Sequence, residues 1–263
     1  MKIGISTSSL FARKNCEEAL EFLSEKGVQA AEVFLESFCD YNLEFGNLLK
    51  SVNKNTDVHS FHVLTTQFEP QLYSVGERAR EDSFKILELA LKAGSTAGAK
   101  YYSFHGPARL KKTPITLNYE RLGEITNRVI SVCDKYGVTL AYENVHWAYY
   151  NFIGYFSELK KFCPKLKGTL DVKQARQSGI SALEFISEMK EDIVTVHLSD
   201  VNEFGRMCLP GKGITDFENL FRRLKDVSFN GALILEVYPS DFKEISELLQ
   251  SYEYIKNLSE RIF

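Results

Sequence analysis

The sequence predicts an α/β protein, a single (β/α)8 TIM barrel occupying residues 1–263 as one domain. Three observations predict it. Apolar strand-like runs alternate with stretches of helical spacing from one end to the other. Eight such units fit within 263 residues, the usual size of one closed barrel. No GxGxxG follows the first strand, which argues against a dinucleotide-binding open sheet. The alternation implies a parallel sheet, because each crossover helix returns the chain to the same edge.

The elements follow in order. "KIGISTS" (residues 2–8) reads as the first strand, and "CEEALEFLSEKG" (16–27) as a helix with a glycine stop. "AAEVFLE" (30–36) is the second strand, with a weaker helix over 43–53. "DVHSFHVL" (57–64) is the third, followed by a long helix from about residue 76 to 93. "KYYSFHG" (100–106) and the helix over 119–137 form the fourth unit. "TLAYENV" opens the fifth, and "GYFSELKKFCP" (154–164) is its helix, stopped by proline. "LKGTLDV" (166–172) pairs with a helix over 182–190, and "IVTVHLSD" (193–200) with one over 217–227. "GALILEVYP" (231–239) is the eighth strand, closed by a helix from 242 to about 258.

Bulk properties exclude several roles. The net charge is -3 and the pI about 6.0, so no global positive field draws nucleic acid or an anionic membrane. No run approaches the ~18 apolar residues of a membrane span. The start, "MKIGISTSSLF", reads as a strand and not as a signal peptide. Cys16, Cys39, Cys133, Cys163 and Cys208 are widely spaced, odd in number and without a CxxC. They read as reduced thiols, which places the protein in the cytoplasm.

In such a barrel, chemistry sits where strands end and βα loops begin. The third strand carries His59 and His62, the fourth ends near His105, and the fifth ends at Glu143. The sixth ends at Asp171, the seventh carries His197 and the eighth Glu236. One at a time these have ordinary explanations: a hydrogen-bonded structural histidine, or an aspartate capping a helix. Together they converge on one rim. A ring of carboxylates and imidazoles in a partly dry cavity carries uncompensated repulsion without a cation, and nitrogen and oxygen donors suit a divalent metal. His59, three residues before His62, faces the other side of the strand by alternation and reads as structural.

The ordered set "VHSFHV", "YYSFHGP", "YENVH", "GTLDV", "VHLSD", "LPGKGITDF" and "LILEVY" resembles the xylose-isomerase-like TIM barrel superfamily along essentially the full chain. That group includes sugar phosphate isomerases and epimerases, ketose epimerases and endonuclease IV. The resemblance implies a metal held by Glu143, Asp171, His197 and Glu236, the ion being Mn, Zn, Co or Mg. It also implies a second metal or substrate role for His62 and His105. Gln174 stands where the epimerases carry a substrate-binding histidine, and Tyr149 and Tyr150 where several of them carry a further glutamate. A third zinc, as in endonuclease IV, would need ligands at positions that here are Gln174, Gly205 and Met207.

The chemistry these residues suit is proton abstraction next to a carbonyl, through an enediolate. Glu143 and Glu236 are the expected acid/base pair as well as ligands, since strands five and eight lie roughly across a barrel. The expectation is therefore a metal-dependent isomerase or epimerase of a sugar, sugar phosphate or polyol-derived ketone. A metal-dependent phosphoester hydrolase resembling endonuclease IV, and a non-catalytic sugar-binding barrel, are the alternatives. The partner is a small sugar or polyol, with no nucleic acid and no membrane; a homo-oligomer is left open. "RMCLPGKG" (206–213) reads as a mobile loop in which Arg206 donates to a substrate oxygen or phosphate, or is simply a solvated arginine. Gly211 and Gly213 read as turn residues. His146 and Trp147 either line the mouth or are surface and core residues.

Overall fold

The computed structural model describes residues 1–109 and 116–263. Eight parallel strands close into a barrel: β1 (Lys2–Ser6), β2 (Ala30–Leu35), β3 (Asp57–Val63), β4 (Tyr101–Phe104), β5 (Thr139–Glu143), β6 (Lys167–Asp171), β7 (Ile193–Leu198) and β8 (Ala232–Leu235). Each pairs with its sequence neighbours, and β1 pairs with β8 to close the ring, Lys2 opposite Ala232 and Ile5 opposite Leu235. The main helices are α1 (Cys16–Glu25), α2 (Leu43–Val52), α4 (Glu77–Ala97), α5 (Tyr119–Lys135), α6 (Tyr155–Phe162), α8 (Ala182–Met189), α9 (Phe217–Asp226) and α10 (Ile245–Ile262). Two short helices, α3 (Glu69–Leu72) and α7 (Val172–Gln177), sit in the loops after β3 and β6. The expected elements are all present, with ends displaced by a few residues, as helix and strand ends usually are.

Local chemistry explains the boundaries. The Asn15 amide donates to Glu18 Oε2 at 2.9 Å, half of a capping box that starts α1. The apolar face that follows, Ala19, Leu20 and Leu23, is fully buried against the sheet. α4 ends at Gly98, whose φ of +105° suits glycine. β4 stops before Gly106 because the chain turns there at φ +72°; a Cβ would lie 1.9 Å from Tyr142 Oη. One continuous apolar core fills the space between strands and helices, while Ala30, Ala232 and Ile234 form a separate small cluster. Among the described residues no helix is long and apolar enough to cross a membrane.

One expectation about facing is overturned. The register between β2 and β3 shifts, Ala31 opposing Val58 but Glu32 opposing Ser60, which leaves His59 as the extra residue of a bulge. His59 therefore points inward as well: its Nε2 meets Thr195 Oγ1 at 3.0 Å and Val194 O at 3.1 Å, on a strand that does not neighbour β3. It is buried there.

The loop after β7 is also more anchored than the sequence suggested. It carries a small antiparallel hairpin, Asp200–Val201 with Met207–Cys208. The Asp200 carboxylate accepts backbone N–H groups from Val201, Gly211, Gly213 and Thr215 at 2.8–3.0 Å. Gly213 is required by this approach, since a Cβ would meet Val201 O at 2.2 Å and Asp200 Oδ1 at 2.4 Å.

Candidate metal centre

Glu143 and Asp171 are the last residues of β5 and β6, and His197 lies one residue before the end of β7. Glu236 follows β8 directly, its N–H continuing the ladder to Leu198 O at 3.0 Å. Leu235 and Val237 on either side are buried in the outer core, so alternation turns Glu236 inward. One donor atom from each of the four residues lies within 4.8 Å of all the others. His197 Nδ1 is 3.1 Å from Glu236 Oε2, 3.6 Å from Glu143 Oε1 and 3.9 Å from Asp171 Oδ2. Asp171 is fixed by its backbone amide, which donates to Asn144 Oδ1 at 2.8 Å, and by its other oxygen, which accepts the Gln174 amide at 2.8 Å to cap α7. Asn144 thus holds the strand end, while Glu143 beside it faces the cluster.

The opposite side of His197 meets a residue that the strand-end reading passed over. Glu32 on β2 is fully buried, and its Oε1 lies 3.0 Å from His197 Nε2. Its Oε2 accepts the Ser60 and Ser103 hydroxyls, each at 2.6 Å. The available signal was a glutamate inside an apolar strand, which is costly without partners.

His62 and His105 both face this rim but do not converge on one carboxylate. His62 Nε2 is 3.6 Å from Glu236 Oε1 and 3.8 Å from Glu32 Oε1, and its ring stacks on Phe34 with centroids 4.6 Å apart. Glu32, His62 and Glu236 form a second converging group that shares Glu236 with the first. His105 Nε2 instead lies 3.2 Å from Glu143 Oε2. Its Nδ1 bonds the Thr65 hydroxyl. Buried Glu69, from α3, accepts the His105 amide at 3.0 Å and the Tyr102 hydroxyl at 2.5 Å.

The remaining candidates divide. Gln174 Oε1 accepts from His146, through the ring Nδ1 at 2.5 Å and the backbone amide at 3.2 Å. Gln174 is buried and His146 exposed, so the pair forms part of the rim. Trp147 is half-buried, 5.9 Å between centroids from His105. Tyr150 is turned into the helix layer against Tyr155, Phe156 and Phe185. Arg206 sits exposed on the hairpin after β7, and its side chain makes no ion pair or hydrogen bond among the described residues. It is not brought to the cluster. Lys173, unremarked in the sequence, is buried beside the site with its ammonium 4.4 Å from the Tyr238 ring centroid.

The electrostatics fit a cation. Burial acts to raise the Glu143 carboxyl, but His105 and His197 outweigh it and hold it at about 2. Burial pushes Asp171 up to about 7; Lys173 and His197 oppose the shift, and Glu143 and Glu236 add to it. Burial acts to neutralise His197 and His105, yet the surrounding carboxylates raise both well above the ordinary range. Among the described residues, Glu32 Oε1, Glu143 Oε2, His62 Nε2 and both nitrogens of His197 are buried without a well-directed hydrogen bond. Orphaned donors of this kind, converging from several strands, suit a divalent ion with nitrogen and oxygen ligands.

Comparison with known proteins agrees with this architecture. A family model described as xylose isomerase-like TIM barrel matches residues 13–258. No curated protein matches the sequence at a significant level. A D-tagatose 3-epimerase-like protein superposes with a TM-score of 0.80 at 18% identity, covering 100% of this chain and 98% of that one. An IOLI protein with a bound zinc atom gives 0.80 at 16% identity, covering 100% and 99%. A D-psicose 3-epimerase in the presence of D-fructose gives 0.77 at 18% identity, with the same coverage of 100% and 99%. With residues 13–258 matched and the barrel closed, the chain belongs to the xylose isomerase-like TIM barrel family.

Proposed function

We propose that the protein is a metal-dependent epimerase or isomerase of a small sugar or polyol-derived ketone, working by proton transfer next to a carbonyl through an enediolate. Glu143, Asp171, His197 and Glu236 are the residues that would hold the ion, one of Mn, Zn, Co or Mg. When bound, the ion supplies positive charge that acidifies the carbon between a carbonyl and its neighbouring hydroxyl.

The observation that carries this reading is the matched setting of the two glutamates. Glu143 turns Oε1 toward His197 and Oε2 toward His105, at 3.6 Å and 3.2 Å. Glu236 turns Oε2 toward His197 and Oε1 toward His62, at 3.1 Å and 3.6 Å. Each carboxylate thus has one oxygen at a shared centre and one against its own histidine. They come from β5 and β8, so a substrate carbon between them has a base on either side. One glutamate removes the proton and the other returns it, with His105 and His62 set beside the outer oxygens to orient the two carboxylates. Return to the opposite face of the same carbon gives an epimer; return to the adjacent carbon interconverts aldose and ketose. Phe34, stacked on His62, and Trp147, beside His105, supply apolar faces for the C–H surface of a sugar. The structural relatives named above as sugar epimerases support this class of substrate. The five cysteines, none paired, support a reducing compartment such as the cytoplasm.

The hydrolase reading has less support. Its second metal would need His62 and His105 on a common Glu143, and His62 meets Glu32 and Glu236 instead.

The test is proton NMR in D₂O, with the metal-loaded protein and a panel of ketoses, aldoses and inososes. Deuterium should enter at a carbon next to the carbonyl. Glu143→Gln and Glu236→Gln should each slow exchange by at least about 10², as for a lost general base. Absence of exchange across the panel, with metal bound, would overturn the proposal. Normal exchange in Glu236→Gln would remove the acid/base pair.

A further inference from the structure

One buried carboxylate near the centre stands outside both the ligand set and the acid/base pair. Glu69 lies in "TTQFEPQLY" (residues 65–73), in the loop after β3, at the start of α3. Phe68 and Leu72 on either side of it are fully buried. They draw the loop onto the barrel and carry Glu69 in with it, to 0% exposure. A carboxylate at that depth is costly unless hydrogen bonds satisfy it, and both oxygens of Glu69 turn to the end of β4. Its Oε1 accepts the Tyr102 hydroxyl at 2.5 Å, and its Oε2 the His105 amide at 3.0 Å. That amide lies one residue beyond β4, whose ladder to β5 ends at Phe104 opposite Tyr142. The chain then turns away at Gly106, φ +72°. Glu69 supplies an acceptor where the sheet has ended. The same loop also grips the ring. The Thr65 hydroxyl bonds His105 Nδ1, and Glu69 Oε2 lies 3.6 Å from that nitrogen. The other edge of the ring, Nε2, is 3.2 Å from Glu143 Oε2. His105 is thus held through backbone and ring on one side, and meets Glu143 on the other.

We propose that Glu69 is a positioning residue for the proton transfer: by fixing the backbone and ring of His105, it sets the angle at which Glu143 presents its carboxylate to the substrate. A buried glutamate held by two donors has little freedom to rotate, and a ring tied at Nδ1 and at its own amide cannot swing away from Glu143. Reacting groups keep their geometry when the residues behind them are locked in this way, and a misplacement of about 1 Å can cost about 10² in rate. The loop after β3 then serves the chemistry, beyond joining β3 to α4. This deepens the epimerase or isomerase reading and rests on it.

The experiment compares Glu69→Met, which keeps the side-chain length without an acceptor, with Glu69→Gln, whose amide can still accept from His105 and donate to the Tyr102 hydroxyl. Deuterium exchange into the fastest substrate of the panel above is followed on protein loaded in turn with Mn²⁺, Zn²⁺, Co²⁺ and Mg²⁺, with rates taken per folded, metal-bound site. In Glu69→Met, kcat should fall at least about tenfold with KM within about twofold, and Glu69→Gln should recover to within about threefold of wild type. A merely structural role would lower Tm and leave kcat per site unchanged. The ring signals of His105 are read on the Zn²⁺ form labelled with ¹⁵N-histidine and identified by their loss in His105→Gln. They should be displaced in Glu69→Met and stay near their wild-type positions in Glu69→Gln. Wild-type kcat in Glu69→Met, or a Glu69→Gln as slow as Glu69→Met, would overturn the proposal. If Glu69→Met does not fold, Tyr102→Phe decides, since it removes one of the two donors and keeps the ring: unchanged kcat with unmoved His105 signals overturns the assignment. If the wild type exchanges with no member of the panel, the epimerase or isomerase reading fails separately. His105 signals displaced in Glu69→Met would then leave the positioning of the ring standing, and unmoved signals would overturn that as well.

Discussion

Glu32 Oε1 lies 3.0 Å from His197 Nε2, on the side of the ring opposite Glu143, Asp171 and Glu236, which all face Nδ1. The arrangement assigns the two nitrogens. With an ion held at Nδ1, the ring proton would sit on Nε2, facing Glu32. A carboxylate behind a ligand histidine fixes its tautomer and raises its basicity. Glu32 is itself held by two serine hydroxyls on its other oxygen. Glu32→Gln keeps an acceptor for those hydroxyls but turns an amide donor toward an imidazole donor. Metal affinity should fall about 10–100-fold, the usual loss for such an outer partner. Competitive titration against a chelator measures it; unchanged affinity would show that Glu32 does not orient His197.

Metal binding should depend on pH in one direction. The carboxylates around His197 raise its pKa above the ordinary range, and burial brings Asp171 to about 7. Both must lose their protons to act as ligands. Protons therefore compete more strongly as pH falls, and affinity weakens from pH 8 to pH 6 by at least about tenfold. Calorimetry in two buffers of different ionisation enthalpy should show protons released. A Kd flat across this range, without proton release, would exclude His197 and Asp171 as ligands.

The Asp200 carboxylate carries the loop after β7. Asp200→Ala leaves four backbone donors near a 1% exposed position without their acceptor. Destabilisation of about 1–3 kcal/mol is expected, with faster hydrogen exchange at residues 201–215. Exchange equal to wild type there would mean that the hairpin, not Asp200, orders the loop.

The barrel and its rim were legible because a strand that ends on Glu, Asp or His breaks its own apolar pattern. Glu143, Asp171, His197 and Glu236 announce themselves in this way. Glu32 breaks the pattern too, but its meaning depends on Ser60, Ser103 and His197, which only the closed barrel brings near. Glu69, Lys173 and Asp200 sit in short helices and loops, where a charged residue is ordinary. His59 was misplaced for a different reason. Alternation assumes an unbroken ladder, and the shift between Ala31 and Glu32 inserts one residue exactly where the parity was counted. His62 and His105 both face the rim, but which carboxylate each one meets depends on side-chain reach across the barrel.

His59 gives a stability signature away from the centre. Burial lowers its pKa to about 4, against the opposing pull of Glu32, whereas the unfolded chain titrates near 6.5. Between these values the unfolded state binds a proton that the folded state does not. Stability should therefore be retained above about pH 6.5 and fall as pH drops toward 4, by up to about 3 kcal/mol from this group. The neutral ring can donate to Val194 O or Thr195 Oγ1, and it packs on Tyr101 at 4.8 Å. His59→Gln keeps a donor but removes the titration, so the mutant should be less stable at pH 7 and lose less on acidification. Urea unfolding at several pH values from 7 to 4 separates the two effects. Parallel stability curves for mutant and wild type would show that His59 is not held neutral inside the barrel, and that other groups drive the acid transition.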